Sequence, residues 1–220
     1  MAVITISRRF GSGGDEIARQ VCALLGYRYF DKELMAQVAT ELGLAVDEIW
    51  DLSEDTYEVR SFLERLLGAP RKITRLETIP EDRPGALIEI VDRLDEAQSI
   101  ALVQSTIQAA YRAGNVVIVG RGGQAILKNQ PDVLHVRVEA PLADRVERLY
   151  ARANYSLGGA SDTAVKRDRA SADYLKRFYQ IDWADPLLYD LVINTGRLGL
   201  EAAAQLIVRA TSFLPKKEQV

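Results

Sequence analysis

Residues 3–25 restrict the fold more tightly than any other stretch of the chain. Val3-Ile4-Thr5-Ile6-Ser7 is rich in β-branched residues and reads as a buried strand. Gly11-Ser12-Gly13-Gly14 follows, a turn that glycine-rich sequence tolerates best. Ile17, Ala18, Val21, Leu24 and Leu25 then recur at helical spacing. Strand, glycine turn and helix form the setting in which main-chain N–H groups cradle a phosphate at a helix N-terminus. The same pattern also serves as a plain glycine turn closing an α/β unit.

The standard phosphate-binding loop has a glycine, four residues, then Gly-Lys-Ser/Thr. With Gly13 as its second glycine, this chain carries Arg8 at the first glycine, Gly14 at the lysine and Asp15 at the hydroxyl. The frame is kept and two chemical groups are exchanged. Arg8 or Arg9 can supply the missing positive charge, because a guanidinium grips phosphate through two parallel hydrogen bonds. Asp15 is the candidate Mg²⁺ ligand, directly or through water.

The chain has 220 residues, suited to one α/β domain with a helical insertion. A net charge of −3 gives no global attraction to nucleic acid or anionic membrane. No apolar run approaches the length of a membrane span, and the first residues lack the pattern of a signal peptide. Cys22 is the single cysteine and reads as a small buried hydrophobe. A cytoplasmic protein is the expectation.

Beyond Gly26, residues 27–30 suggest a short strand ending at Asp31, which either caps a helix over 32–42 or hydrogen-bonds a ligand. Residues from about 44 to 112 read as a mostly helical insertion, with a long helix over 86–113 that is either continuous or broken near 92–96. Apolar residues between Trp50 and Leu67 offer a surface for a second subunit, so a homodimer is an expectation. Val116 to Val119 reads as a strand buried on both faces and stops at Gly120-Arg121-Gly122-Gly123. Arg121 there needs an anion, either a carboxylate of the fold or a ligand phosphate. A strand over 133–138, a helix over 140–153, a polar break over 156–161, a charged helix over 163–179, a strand over 191–195 and a helix over 200–213 complete the chain. This alternation gives a three-layer α/β fold: a parallel sheet with helices on both faces. Ligands of such sheets bind beyond the carboxyl ends of the strands.

Basic residues crowd positions 145–177. Arg145, Arg148 and Arg152 fall near one helix face, and Lys166, Arg167, Arg169, Lys176 and Arg177 follow, with Asp168 and Asp173 interleaved. Such a run is either a solvated, salt-bridged helical hairpin or a lid, over about 150–182, that carries arginines to transferring phosphates and excludes water. His135, the single histidine, reads as a core residue.

Taken together, these segments resemble the cytidylate kinase-like family, a divergent branch of the nucleoside monophosphate kinases. The resemblance rests on residues 4–14, on Tyr29-Phe30-Asp31-Lys32-Glu33-Leu34, on Val119-Gly120-Arg121-Gly122-Gly123, on Ala140-Pro141 with Arg145, and on residues 189–195, in the family's order. It implies one P-loop kinase domain over 1–220, with an acceptor-binding region at about 44–112 and a lid. It implies an ATP- and Mg²⁺-dependent phosphotransferase acting on a nucleoside monophosphate, cytidylate-like, or a related small phosphate acceptor. Gly11, Ser12, Gly13, Gly14, Asp15 and Glu16 would hold the donor phosphates. Asp31 and Arg121 would bind the acceptor, and Arg8, Arg121, Arg148, Arg152, Arg167 and Arg177 would carry the catalytic charge. Relative to cytidylate kinases proper, the loop lysine is Gly14, the aspartate after the strand-end arginine is Gly122, and the arginine after the second motif is Gln37. These exchanges leave a second expectation open, a nucleotide-binding sensor or interaction module without turnover, and a third, a scaffold that binds no nucleotide.

Overall fold

The computed structural model describes residues 2–30, 73–76, 89–92, 96–152 and 155–215. Strands β1 (Val3–Arg8), β2 (Arg28–Phe30), β5 (Val116–Val119), β6 (Val133–Glu139) and β7 (Leu191–Asn194) form a sheet in the order β2-β5-β1-β6-β7. All of its pairings are parallel. Strands β3 (Ile73–Leu76) and β4 (Glu89–Asp92) form a separate antiparallel pair. The helices are α1 (Gly14–Leu25), α2 (Glu96–Ala113), α3 (Gly123–Ile126), α4 (Leu142–Arg152), α5 (Leu157–Tyr179) and α6 (Leu200–Thr211).

The period-2 alternation of the strands divides the core into two layers. Ile4, Ile6, Val117, Val119, Leu134, Val136 and Val138 pack with α1 and α6 on one face. Val3, Val116, Ile118 and Val133 pack with Val103 and Ile107 of α2 on the other. The three-layer parallel fold follows from that division. In α1, Ile17, Ala18, Val21 and Cys22 are buried, and burial pushes the Cys22 thiol up to about 11, so it stays protonated.

Two expectations are corrected. The helix starts at Glu96, in keeping with the break near 92–96, but 89–92 before it form a strand and not a helical turn. The apolar spacing of this stretch suits either element, but its β-branched pair Ile90-Val91 meets Arg75 and Thr74 across an antiparallel ladder. The polar break at 156–161 is also absent. Ser156 caps α5, its hydroxyl accepting the Gly159 N–H at 3.1 Å, and the helix runs unbroken through Gly158 and Gly159. Asp31, the helix over 32–42, Gln37 and the Trp50–Leu67 surface lie outside the described residues.

His135 is buried mid-strand as expected, and its Nδ1 lies 2.7 Å from the Thr5 hydroxyl. Burial holds its imidazole below the usual histidine range, with Asp190 opposing the shift. The unfolded chain therefore takes up the proton first as pH falls. Urea midpoints should hold steady above pH ~6.5 and fall progressively below it. The part due to this ring should vanish in His135→Asn.

Candidate active site

The phosphate loop leaves the carboxyl end of β1 and enters α1 at Gly14. Gly11 (φ +80°) and Gly13 (φ +86°) sit in the left-handed region, where a side chain is strained. Space is tight as well. A Cβ on Gly13 would lie 2.5 Å from Leu200 Cδ2, and one on Gly11 would lie 3.1 Å from the Arg145 carbonyl oxygen. The Ile17 N–H donates to the Gly13 carbonyl, the first bond of the helical ladder. The amides of Gly14, Asp15 and Glu16 therefore precede it, as the donors of an anion site do.

The position that holds lysine in a standard loop has a steric reason to be glycine. A Cβ on Gly14 would meet Arg8 Cβ at 2.5 Å and Arg8 Cγ at 2.8 Å. The Arg8 stem fills the space a lysine stem would need. Its guanidinium remains at the loop, with Nε 3.1 Å from Asp15 Oδ1. Arg9 points elsewhere: its Nε lies 2.6 Å from Glu139 Oε2, and its Nη1 donates to Asp168. Of the two arginines offered as substitutes, Arg8 is the one at Gly14.

Several side chains fix the loop from outside. The Phe10 N–H donates to Asp168 Oδ1 at 2.9 Å. Arg145, 3% exposed, donates to the Phe10 carbonyl at 3.0 Å and to Asp168 Oδ2 at 2.9 Å. The Ser12 carbonyl accepts from Arg148 Nη1 at 3.0 Å and from the Thr195 hydroxyl at 2.6 Å. Arg148 Nη2 donates to the Thr195 carbonyl at 2.6 Å. Arg148 was expected to face phosphate; here its guanidinium holds the carbonyl side of the loop, between Ser12 and Thr195. Among the described residues the Ser12 hydroxyl oxygen is buried and has no hydrogen-bond partner.

Arg121 leaves the adjacent strand. Ile6 of β1 is in register with Val119 of β5, and the Gly120 N–H donates to the Ile6 carbonyl at 2.9 Å. Arg121 and the loop thus emerge side by side at the carboxyl edge of the sheet. Gly120 (φ +68°), Arg121 (φ +61°) and Gly122 (φ +71°) are all left-handed. For arginine this costs roughly 1–2 kcal/mol. Such strain at a buried cation marks a candidate functional position.

Of the arginines expected in a lid, Arg167 stacks on the Phe10 ring at 4.3 Å, and Arg177 lies 5.4 Å from the Phe178 ring. The side chain of Arg152 lies outside the described residues. Asp15, the expected metal ligand, is ion-paired with Arg8. Among the described residues no group of three metal-binding side chains occurs. Sequence reasoning overlooked Asp168 and Thr195 as parts of the site. Asp168 carried a signal: Ala160, Ala164, Asp168, Ser171 and Leu175 share the buried stripe of α5, so a carboxylate falls on a core-facing position.

The fold and site define the class of the P-loop kinases: a five-stranded parallel sheet with a phosphate loop after its first strand and a basic helix beside that loop. A solved structure from Eubacterium ventriosum, an uncharacterized protein, superimposes with a TM-score of 0.66 at 18% identity, covering 97% of this chain and 99% of the other. Shikimate kinase from Bacteroides thetaiotaomicron superimposes at 0.51 and 13% identity, covering 96% and 99%. At those identities the likeness concerns the fold. The profile of the cytidylate kinase-like family matches residues 3–197, and the chain belongs to that family. Cytidylate kinase of Ignicoccus hospitalis is 25% identical over 95% of this chain and 98% of its own length. Cytidylate kinase of Staphylothermus marinus is 27% identical over 94% of each.

Replacing Gly14 by alanine tests the exchange with Arg8. Helix propensity alone favours alanine by about 1 kcal/mol. Overlap with the rigid inner end of the Arg8 side chain outweighs this, so urea denaturation should show Gly14→Ala destabilised by roughly 1–3 kcal/mol. In an Arg8→Gly background the same substitution should become neutral or stabilising.

Proposed function

We propose that the protein is an ATP-dependent phosphotransferase acting on a nucleoside monophosphate, cytidylate-like, or on a related small phosphate acceptor. One observation carries the reading: the phosphate loop, with Arg8 across Gly14, and the strained, buried Arg121 leave neighbouring strands at one sheet edge. In this reading the loop cradles the donor phosphates and Arg121 beside it takes the acceptor phosphate. Family membership and the names of the relatives support the same reading.

In this mechanism the loop amides and the Ser12 hydroxyl bind the donor phosphates, with Gly11, Gly13 and Gly14 allowing close approach. Arg8 supplies the charge that lysine supplies in standard loops, and its pairing with Asp15 keeps it at the first turn of α1. Arg121 orients the acceptor phosphate, and Asp31 contacts the acceptor nucleotide. An acceptor oxygen attacks the γ-phosphorus in line, the bond to the β–γ bridging oxygen breaks, and no covalent enzyme intermediate forms. The guanidinium groups of Arg8, Arg121, Arg152, Arg167 and Arg177 face charge that spreads over the equatorial oxygens. Arg148 acts through the loop carbonyl it holds. Asp15 is the residue that would hold magnesium, which would supply charge neutralisation at the phosphates.

A screen of nucleoside monophosphates with ATP and Mg²⁺, followed by ADP release, tests this reading. ADP formation is expected with at least one acceptor. Arg8→Ala and Arg121→Ala should each lower kcat/KM by about 10²–10³-fold, the usual cost of removing one charge-stabilising donor. The glycine at the lysine position favours a second reading, a nucleotide-binding module without turnover. Calorimetry that detects ATP binding, in a protein that releases no ADP with any acceptor, would select it. A thermal-shift panel in which no nucleotide raises Tm would leave only a scaffold.

A further inference from the structure

We propose that Asp168 is a positioning residue that latches helix α5 to the phosphate loop, so that the loop takes its binding shape only when α5 is docked. The inference rests in part on the nucleotide-binding reading above, and its test separates the two.

Phe10 opens the loop, and both of its main-chain polar groups are held by side chains. Its N–H donates to Asp168 Oδ1 from α5, and its carbonyl accepts from Arg145 of α4. Arg145 also donates to Asp168 Oδ2, which closes a ring of three residues around one peptide segment. Arg9, just before Phe10, donates to the same Oδ2 at 3.3 Å. Arg167, the neighbour of Asp168 in α5, covers the Phe10 ring. The next residue, Gly11, makes a left-handed turn, and the Ser12 N–H then closes back on the Arg9 carbonyl at 3.1 Å. A shift of α5 therefore withdraws the carboxylate from the Phe10 N–H and from two cations at once.

The other end of α5 meets the other half of the site. A Cβ on Gly122, next to Arg121, would lie 2.7 Å from the Tyr179 ring, so α5 rests directly on that turn. Asp168 and Tyr179 are eleven residues apart in one unbroken helix, a span of about 16 Å. One rigid element thus touches the loop through a carboxylate and the Arg121 turn through an aromatic ring. A ligand that orders either end favours the docked helix, and by linkage the other end gains equally.

The closing experiment is hydrogen exchange on the full chain, with Asp168→Asn, Asp168→Glu and Arg145→Lys compared with the parent protein. Asp168→Asn should speed exchange at the amides of residues 10–15 and 120–123 by about tenfold or more, the scale of one charge-assisted hydrogen bond. The buried strands Val116–Val119 and Val133–Glu139 should keep their protection. A merely structural role would raise exchange across the whole chain together. Asp173→Asn, on the same helix and paired with exposed Arg169, should change neither region. Should Asp168→Asn fail to fold, Asp168→Glu and Arg145→Lys carry the test with the same expected local signature. Calorimetry with Mg-ATP should show affinity weakened about tenfold in the variants. A folded variant with unchanged exchange at residues 10–15 overturns the latch, whatever the nucleotide does. A parent protein that binds no Mg-ATP overturns the nucleotide reading instead, and the exchange data still judge the latch.

Discussion

The buried carboxylate of Asp168 is the contact on which the arrangement of this site depends. A carboxylate removed from water must recover its lost hydration through hydrogen bonds and opposite charge. Asp168 does so with the Phe10 N–H, Arg145 and Arg9. Each of these partners belongs to the phosphate loop or to the helix beside it. Arg145, itself buried, would be an uncompensated cation without that carboxylate. The loop, α4 and α5 therefore share one electrostatic solution.

A second set of contacts completes the loop on its carbonyl side. Arg148 and Thr195 both address the Ser12 carbonyl, with Thr195 following directly on β7. With these carbonyls held, the amides of Gly14, Asp15 and Glu16, which precede the first bond of the helical ladder, are the ones an anion could use. The loop is thus preorganised by side chains from three separate segments. Preorganisation of this kind matters for phosphoryl transfer, because positioning and charge stabilisation supply nearly all of its catalysis.

The exchange of residues around the loop has a simple geometric logic. A standard loop has no side chain at its first position and a lysine at the seventh. Here the side chain has moved to the first position and the seventh is bare. The two sites are in contact, since the stem of Arg8 lies where a Cβ on Gly14 would be. Only one of them can carry a long side chain. A cation is retained near the helix start, although it enters from the strand and not from the helix.

Much of this was legible in the sequence because it depends on short-range periodicity. The alternation of β1, the all-apolar β5 and the stripe of α1 each state which faces are buried, and they yield the three layers directly. The glycines of the loop and of the Arg121 turn mark positions where the backbone is left-handed, a local property of the residue. Residues 89–92 were misread because four residues with a β-branched pair suit helix and strand alike, and only a partner at 73–76 decides between them. The roles of Arg9, Arg148 and Asp168 were likewise beyond the sequence. A charge states that an opposite charge or a hydrogen bond is needed, but not which one, and the loop groups that Asp168 and Arg148 hold lie more than a hundred residues away in the chain. The sequence by itself determined the sheet, its layers and the location of an anion-shaped turn, because these follow from each residue's own backbone and burial preferences. Only the tertiary structure decided which guanidinium stays at the loop and which ones brace it, because that depends on distances the fold alone creates.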